Sequence, residues 1–300
     1  KRVRFYGKHE ISNSEFELPN VIEAIKSNDL QQQLHGAIGL RKILTLKNPP
    51  IQAVIDANIL PRLIEFLNGN ADFQVFPYSA CNFSFLEEAA WIFTNLANGT
   101  NENVASIVES GTIPLLIRIL DTENTEAVDN VREQDLEDYK SSIFSQESMG
   151  IGNISATSHE FRDKILENGG LESILKVLKT SIDQKIRKSC IWVVTNFCRG
   201  KPTLPFERVR PAISLLIQLL KEETDPDSLT DTLWMLTYYP GIQILIKANQ
   251  LALDLLEEFD EKETIEVFLK HINSERVVIQ VPSLRCLRLI AEKNESKAKV

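Results

Sequence analysis

The sequence has 300 residues, of which 43% are hydrophobic and 25% charged, and its formal net charge is −9. This is ordinary globular composition; the acidic balance argues against a broad nucleic-acid binder and favours basic partners, and no apolar run reaches the roughly 18 to 20 residues of a membrane span. A single core of this size is at the upper limit, so a split chain or a solenoid is expected. Cys81, Cys190, Cys198 and Cys286 show no CxxC pairing and read as reduced core thiols. With no stretch that reads as a signal peptide, the expected location is cytoplasm and nucleus.

Residues 1–17 are polar with three basic residues in the first four and read as a disordered tail. Residues 20–46 give two helices broken near Asn28-Asp29, and Asn48-Pro49-Pro50 is a break. Residues 51–67 (IQAVIDANILPRLIEFL) then match residues 104–120 (VASIVESGTIPLLIRIL): a short apolar helix, a small-residue turn, a proline and a longer apolar helix. The template returns at 161–178 without its proline and more weakly at 242–256. Residues 76–85, 129–145 and 255–263 read as insertions between helices, the second of them polar, acidic and without helical period.

The clearest unit is 86–120. Ala90, Phe93, Leu96 and Ala97 recur at three and four, which predicts a helix with one buried face. Asn98-Gly99-Thr100 is expected to stop it through a left-handed residue. Three helices in roughly 40 residues is the length and content of an armadillo-type repeat.

A pair of residues one turn apart recurs in the third helix: Trp91/Asn95, Met149/Asn153, Trp192/Asn196 and Trp234/Tyr238. Its first members stand 58, 43 and 42 residues apart, two single repeats after a repeat with an insertion; Arg285 continues the column after a further insertion. One such pair would be a core indole with a packing amide. An amide repeated on each apolar face is costly unless paired. Neighbouring helices pack about 8–10 Å apart and an extended peptide rises about 3.3 Å per residue, so one repeat advances two to three peptide residues. An asparagine amide offers both donor and acceptor and so clamps a peptide backbone. Slots between indoles fit lysine stems, with cation–π attraction of about 0.5–2 kcal/mol each. Trp192→Ala and Asn196→Ala are expected to weaken a basic peptide and leave folding intact.

The segments EEAAWIFTNLANGT, MGIGNISATSHEFRD, RKSCIWVVTNFCRGKP and LTDTLWMLTYYP resemble the importin α (karyopherin α) family, armadillo adaptors that bind basic nuclear localisation signals. The resemblance runs from about residue 20 to 291 and covers six of the family's ten repeats. It implies an all-α, right-handed superhelical solenoid of about six armadillo repeats, with lysine- and arginine-rich signal peptides and their cargo proteins as partners. It implies a groove formed by Trp91, Asn95, Asn153, Trp192, Asn196, Trp234 and Tyr238, with Gly99 offering a backbone carbonyl. Gln146, or Gln134 if residues 135–146 are the insertion, takes the place of a groove glutamine. Arg199 and Asp231 match ion-pair positions in the groove floor. Four positions depart from the family: Met149 replaces a tryptophan, Thr157 a groove aspartate, Val104 a threonine and Leu289 an asparagine. Importin β is the partner implied through an arginine-rich segment that is absent from these residues, Lys1-Arg2-Val3-Arg4 being too short to stand for it.

These departures leave a second reading, a degenerate armadillo scaffold that binds another protein without reading nuclear signals. An enzyme is not expected. His9, His35, His159 and His271 have no metal-ligand or nucleophile partner at a diagnostic spacing, there is no phosphate-binding glycine loop, and no cofactor is called for. Glu87-Glu88 and Glu222-Glu223 read as solvated helix ends.

Overall fold

The computed structural model describes residues 17–68, 80–121, 133–238 and 261–297, and every regular element among them is an α-helix. The chain divides into two compact units, Lys1–Val193 and Val194–Val300.

The first unit begins with α1 (Leu18–Lys26) and α2 (Leu30–Leu44). Asp29 separates them, its carboxylate accepting from the Gln32 N–H to cap α2. Three copies of one motif follow. The short helices α3 (Ile51–Asp56), α6 (Asn101–Glu109) and α9 (His159–Glu167) lead into α4 (Leu60–Asn68), α7 (Thr112–Asp121) and α10 (Gly170–Thr180). Each pair precedes a longer helix: α5 (Ala80–Leu96), α8 (Glu133–Thr157) and α11 (Gln184–Arg199). The corner between short and middle helix is built the same way each time, with Asn58, Gly111 and Gly169 at φ 53°, 84° and 83°. Those left-handed conformations are the ones glycine and asparagine adopt at least cost. The template matched at 51–67, 104–120 and 161–178 is therefore a repeated backbone shape.

Like helices stack on like: α3 on α6, α4 on α7 and α7 on α10, α2 on α5 and α5 on α8. Their apolar stripes meet inside, where Leu63, Phe66, Phe85, Ile107, Leu116, Ile165 and Ile174 are buried. The rings of Phe66 and Phe85 are 4.7 Å apart. Thr100 and Asn103 cap α6 reciprocally, and Ser158 caps α9.

Several expected boundaries change. Residues 133–145 are not an irregular insertion but the opening turns of the 25-residue α8. They are held laterally by Ser142 Oγ donating to Glu87 Oε1 at 2.5 Å and by Ser141 Oγ donating to an Asp183 carboxylate oxygen, contacts that a period-based reading cannot register. Residues 80–85 likewise start α5, with Phe85 buried in the core. The expected tail at 1–16, the repeat at 242–256 and residues 76–79, 129–132 and 255–260 lie outside the described residues. Asn98-Gly99 ends α5 without a left-handed residue: the Asn98 and Gly99 N–H groups donate to Asn95 and Leu96 carbonyls. Gly99 is required there by proximity, since a Cβ would sit 2.7 Å from Asn103 Oδ1 of the cap.

The second unit holds the end of α11, then α12 (Phe206–Leu220), α13 (Pro226–Tyr238), α14 (Glu261–Ile272) and α15 (Val277–Lys297). The last three residues of the expected 255–263 insertion, 261–263, belong to α14. Pro211 lies inside α12. Lys270 Nζ donates to the Lys221 carbonyl at 3.2 Å, and His271 Nε2 lies 3.4 Å from the Leu220 carbonyl, so the basic end of α14 caps α12. Among the described residues no single helix is long and apolar enough to cross a membrane.

Candidate peptide-binding face

In the first unit the expected residues fall on two adjacent long helices. Trp91 and Asn95 follow one another at i and i+4 along α5, and Asn98 lies in the turn that ends it. Gln146, Met149 and Asn153 follow at i, i+3 and i+7 along α8. The two helices are stitched by Thr94, whose hydroxyl donates to the Gln146 carbonyl at 2.8 Å and whose carbonyl accepts from Asn153 Nδ2 at 3.2 Å. Thr157 does not project a charge here; its hydroxyl donates back to the Asn153 carbonyl at 2.9 Å. Val104 is buried in the core.

The polar atoms left over are the chemistry of this face. Asn95 Nδ2, Asn153 Oδ1, Gln146 Oε1 and both amide atoms of Asn98 are buried without a hydrogen-bond partner among the described residues. Each such group costs about 1–3 kcal/mol. Together they offer donors and acceptors on neighbouring helices, the complement of a peptide backbone. Asn98 was missed by the sequence reading; its place seven residues after Trp91 was the signal available. Gln134 lies in α8, three turns before Gln146, and its side chain is outside the described residues.

The tryptophans are less alike than their spacing implies. Trp91 is half-buried, and the guanidinium of Arg41, from α2, lies 5.7 Å from its ring centroid. The same guanidinium donates from Nε to Glu88 Oε2 at 2.6 Å. Burial raises the Glu88 pKa, and Arg41 opposes that rise. Trp192, by contrast, is fully buried. Its indole lies on the backbone of α8 at Gly152, where a Cβ would be 2.2 Å from Cζ3. In this structure Trp192 is thus a core residue between α8 and α11 rather than an exposed slot wall. The absence of a side chain at Gly152 is what lets it sink. Met149 is also buried.

Around Trp192 the α8–α11 seam is polar: Ser145 Oγ and Ser189 Oγ are 3.2 Å apart, and Ser148 Oγ and Cys190 Sγ 3.7 Å. Burial pushes the Cys190 thiol up to about 12. Cys198 and Cys286 are also buried, and neither is in a disulfide among the described residues.

In the second unit Asn196 and Asp231 are buried and Arg199 is exposed. The Asp231 carbonyl accepts from Thr195 Oγ1 at 3.4 Å. Trp234 is half-buried, with the Arg285 guanidinium 5.0 Å over its ring. Tyr238 ends α13 and its side chain is outside the described residues, as is that of Leu289. No group of three metal-ligating side chains occurs among the described residues.

Stacked three-helix motifs with a polar seam along the long helices define an armadillo-repeat protein. Solved armadillo structures agree: a designed armadillo repeat protein, YIII(Dq)4CqI, superposes with a TM-score of 0.67 over 91% of this chain and 100% of its own at 19% identity. Another designed armadillo protein, solved in complex with the peptide (KR)4, gives 0.66 over 91% and 99% at 20% identity. By sequence the chain is a relative of the importin α subunits. It is 35% identical to importin subunit alpha-1b of Oryza sativa subsp. japonica and 35% identical to importin subunit alpha-2 of Arabidopsis thaliana, in each case over 222 residues. Those matches cover 74% of this chain and 36% of each relative, so the chain spans little more than a third of their length. No family model matches the chain.

Proposed function

We propose that the chain is a nuclear import adaptor module that holds extended, lysine- and arginine-rich peptides along its long helices. The observation that carries this reading is the set of buried amide atoms on Asn95, Asn98, Gln146 and Asn153, along and just beyond two adjacent helices, that have no hydrogen-bond partner among the described residues. The kinship to importin α subunits supplies the class of ligand, and the own-chain arginines over Trp91 and Trp234 illustrate the affinity of these rings for guanidinium groups. In this reading Asn95 and Asn153 fix the peptide backbone, while Trp91 and Trp234 flank basic side chains. Gly99 and Gln146 add to the face of the first unit, Asn196, Arg199, Asp231 and Tyr238 are the candidate peptide contacts of the second, and the net charge of −9 draws a basic peptide in. An adaptor of this kind works in cytoplasm and nucleus and catalyses no reaction.

A degenerate scaffold is the second reading, favoured by one observation: Trp192, Met149 and Asn153 are almost wholly buried, at 0%, 1% and 0% exposure. Fluorescence anisotropy with a labelled PKKKRKV-type peptide separates the two. Tight binding that an alanine at the second lysine abolishes supports the adaptor. No binding at tens of micromolar supports the scaffold.

A further inference from the structure

Arg41 lies in the last turn of α2, and Glu88 and Trp91 are three residues apart on α5, hence on one face of that helix. The Arg41 guanidinium is held at two points: Nε donates to Glu88 Oε2 at 2.6 Å, and its carbon lies 5.7 Å from the Trp91 centroid. The contact is partly withdrawn from water, with side-chain exposures of 28% for Arg41 and 12% for Glu88. A planar cation stacked on an indole and paired with a carboxylate already occupies the place that a ligand's cation would take there. A second cation brought to that side would meet the like charge of Arg41 and a carboxylate already neutralised.

We propose that Arg41 is a specificity-determining residue: it fills the α2 side of Trp91, with Glu88 as its anchor, and so ends the register of a bound basic peptide. The proposal rests on the groove reading above. A basic residue carried past Trp91 toward α2 adds no affinity, and the face selects where a run of cations stops as well as how many it holds. In the second unit the Arg285 guanidinium lies 5.0 Å over the Trp234 ring, there from a helix later in the chain than the tryptophan's.

The test compares three labelled peptides: the PKKKRKV-type sequence and the same sequence lengthened by two residues ending in lysine at either terminus. The parent chain is expected to bind all three within about twofold. Arg41→Ala is expected to bind one lengthened peptide about five- to tenfold more tightly than the short one, through the vacated ring face and the released carboxylate. The double variant R41A/E88Q is expected to lose that gain. A second measurement needs no peptide. In a Trp234→Phe background Trp192 is buried, so quenching by caesium ion reports on Trp91; R41A is expected to raise the quenching slope about twofold, at an unchanged circular dichroism spectrum. Equal gains from lengthening in parent and R41A, no gain in R41A, or unchanged quenching would each overturn the role of Arg41 and leave the groove reading standing. If the parent binds none of the peptides, the groove reading falls and the register role falls with it.

Discussion

The indole of Trp192 rests on α8 at Gly152, so closely that a single added methyl carbon would fall 2.2 Å from Cζ3. Two helices are thereby locked by a residue pair of extreme size difference. Gly152→Ala is expected to destabilise the chain by about 1–3 kcal/mol through overpacking, although alanine is the better helix former by about 1 kcal/mol. Trp192→Ala is expected to cost about 3–5 kcal/mol through the cavity it leaves, against the sequence expectation that folding survives it. Urea midpoints of both variants decide this; a parent-like Trp192→Ala would mean that the indole is not in the core.

Asn95 tests the face more cleanly than Trp192. Its Nδ2 has no partner among the described residues, so Asn95→Ala removes no hydrogen bond that this atom makes to them. The expected outcome is a urea midpoint close to the parent's and roughly five- to tenfold weaker binding of a basic peptide, the worth of a hydrogen bond or two at about 0.5–1.5 kcal/mol each. Unchanged affinity would remove Asn95 from the site.

Glu147 is the first of two pH-dependent residues. It is fully buried on the Ile143, Ile151 and Ile154 stripe of α8, and neither carboxylate oxygen has a hydrogen-bond partner among the described residues. Burial alone raises its pKa well above 4.5. Folding therefore favours the neutral acid, and its contribution to stability is greatest below 4.5 and is lost as pH rises through the folded pKa. Glu147→Gln is expected to be more stable than the parent at neutral pH, with the gap closing on acidification. Parallel urea titrations across pH 4 to 8 check it; a constant gap would refute the assignment.

His271 works in the opposite sense. Burial lowers its pKa from 6.5 despite the Leu220 carbonyl, which favours the charged form, and the neighbouring Lys270 lowers it further. Its neutral ring contributes stability above 6.5, and this is lost as pH falls through the folded value. His271→Gln should flatten the acid limb of unfolding, followed by far-ultraviolet circular dichroism. An identical acid limb in both chains would show that another group governs it.

The sequence exposed the repeat because its signals are local. The three- and four-residue period of α5, the proline after the corner and the Asn or Gly inside it all lie within a few residues of the feature they specify. The depth of Trp192 is different, since it depends on Gly152 forty residues earlier in another helix. The opening turns of α8 were missed for a related reason: Ser141 and Ser142 are held by Asp183 and Glu87, so their environment is supplied by neighbours distant in sequence. The Arg41–Trp91 stack is equally non-local. At the candidate site, the recurring pair one turn apart named Asn95 and Asn153 and the family resemblance named Gln146, whereas the use of the Asn153 Nδ2 by the Thr94 carbonyl was decided in the space between helices.

The left-handed corners at Asn58, Gly111 and Gly169 have a consequence for how this chain tolerates recombination. Because all three bend the backbone alike, a crossover placed at these residues joins fragments whose ends already point the same way. Chimaeras cut there should keep their stacking. Cuts within the long helices would have to match partners of 25 and 16 residues in α8 and α11, a mismatch of about 14 Å at 1.5 Å per residue. The corners are thus natural suture lines, and the variable lengths of the long helices are the place where one module can be told from the next.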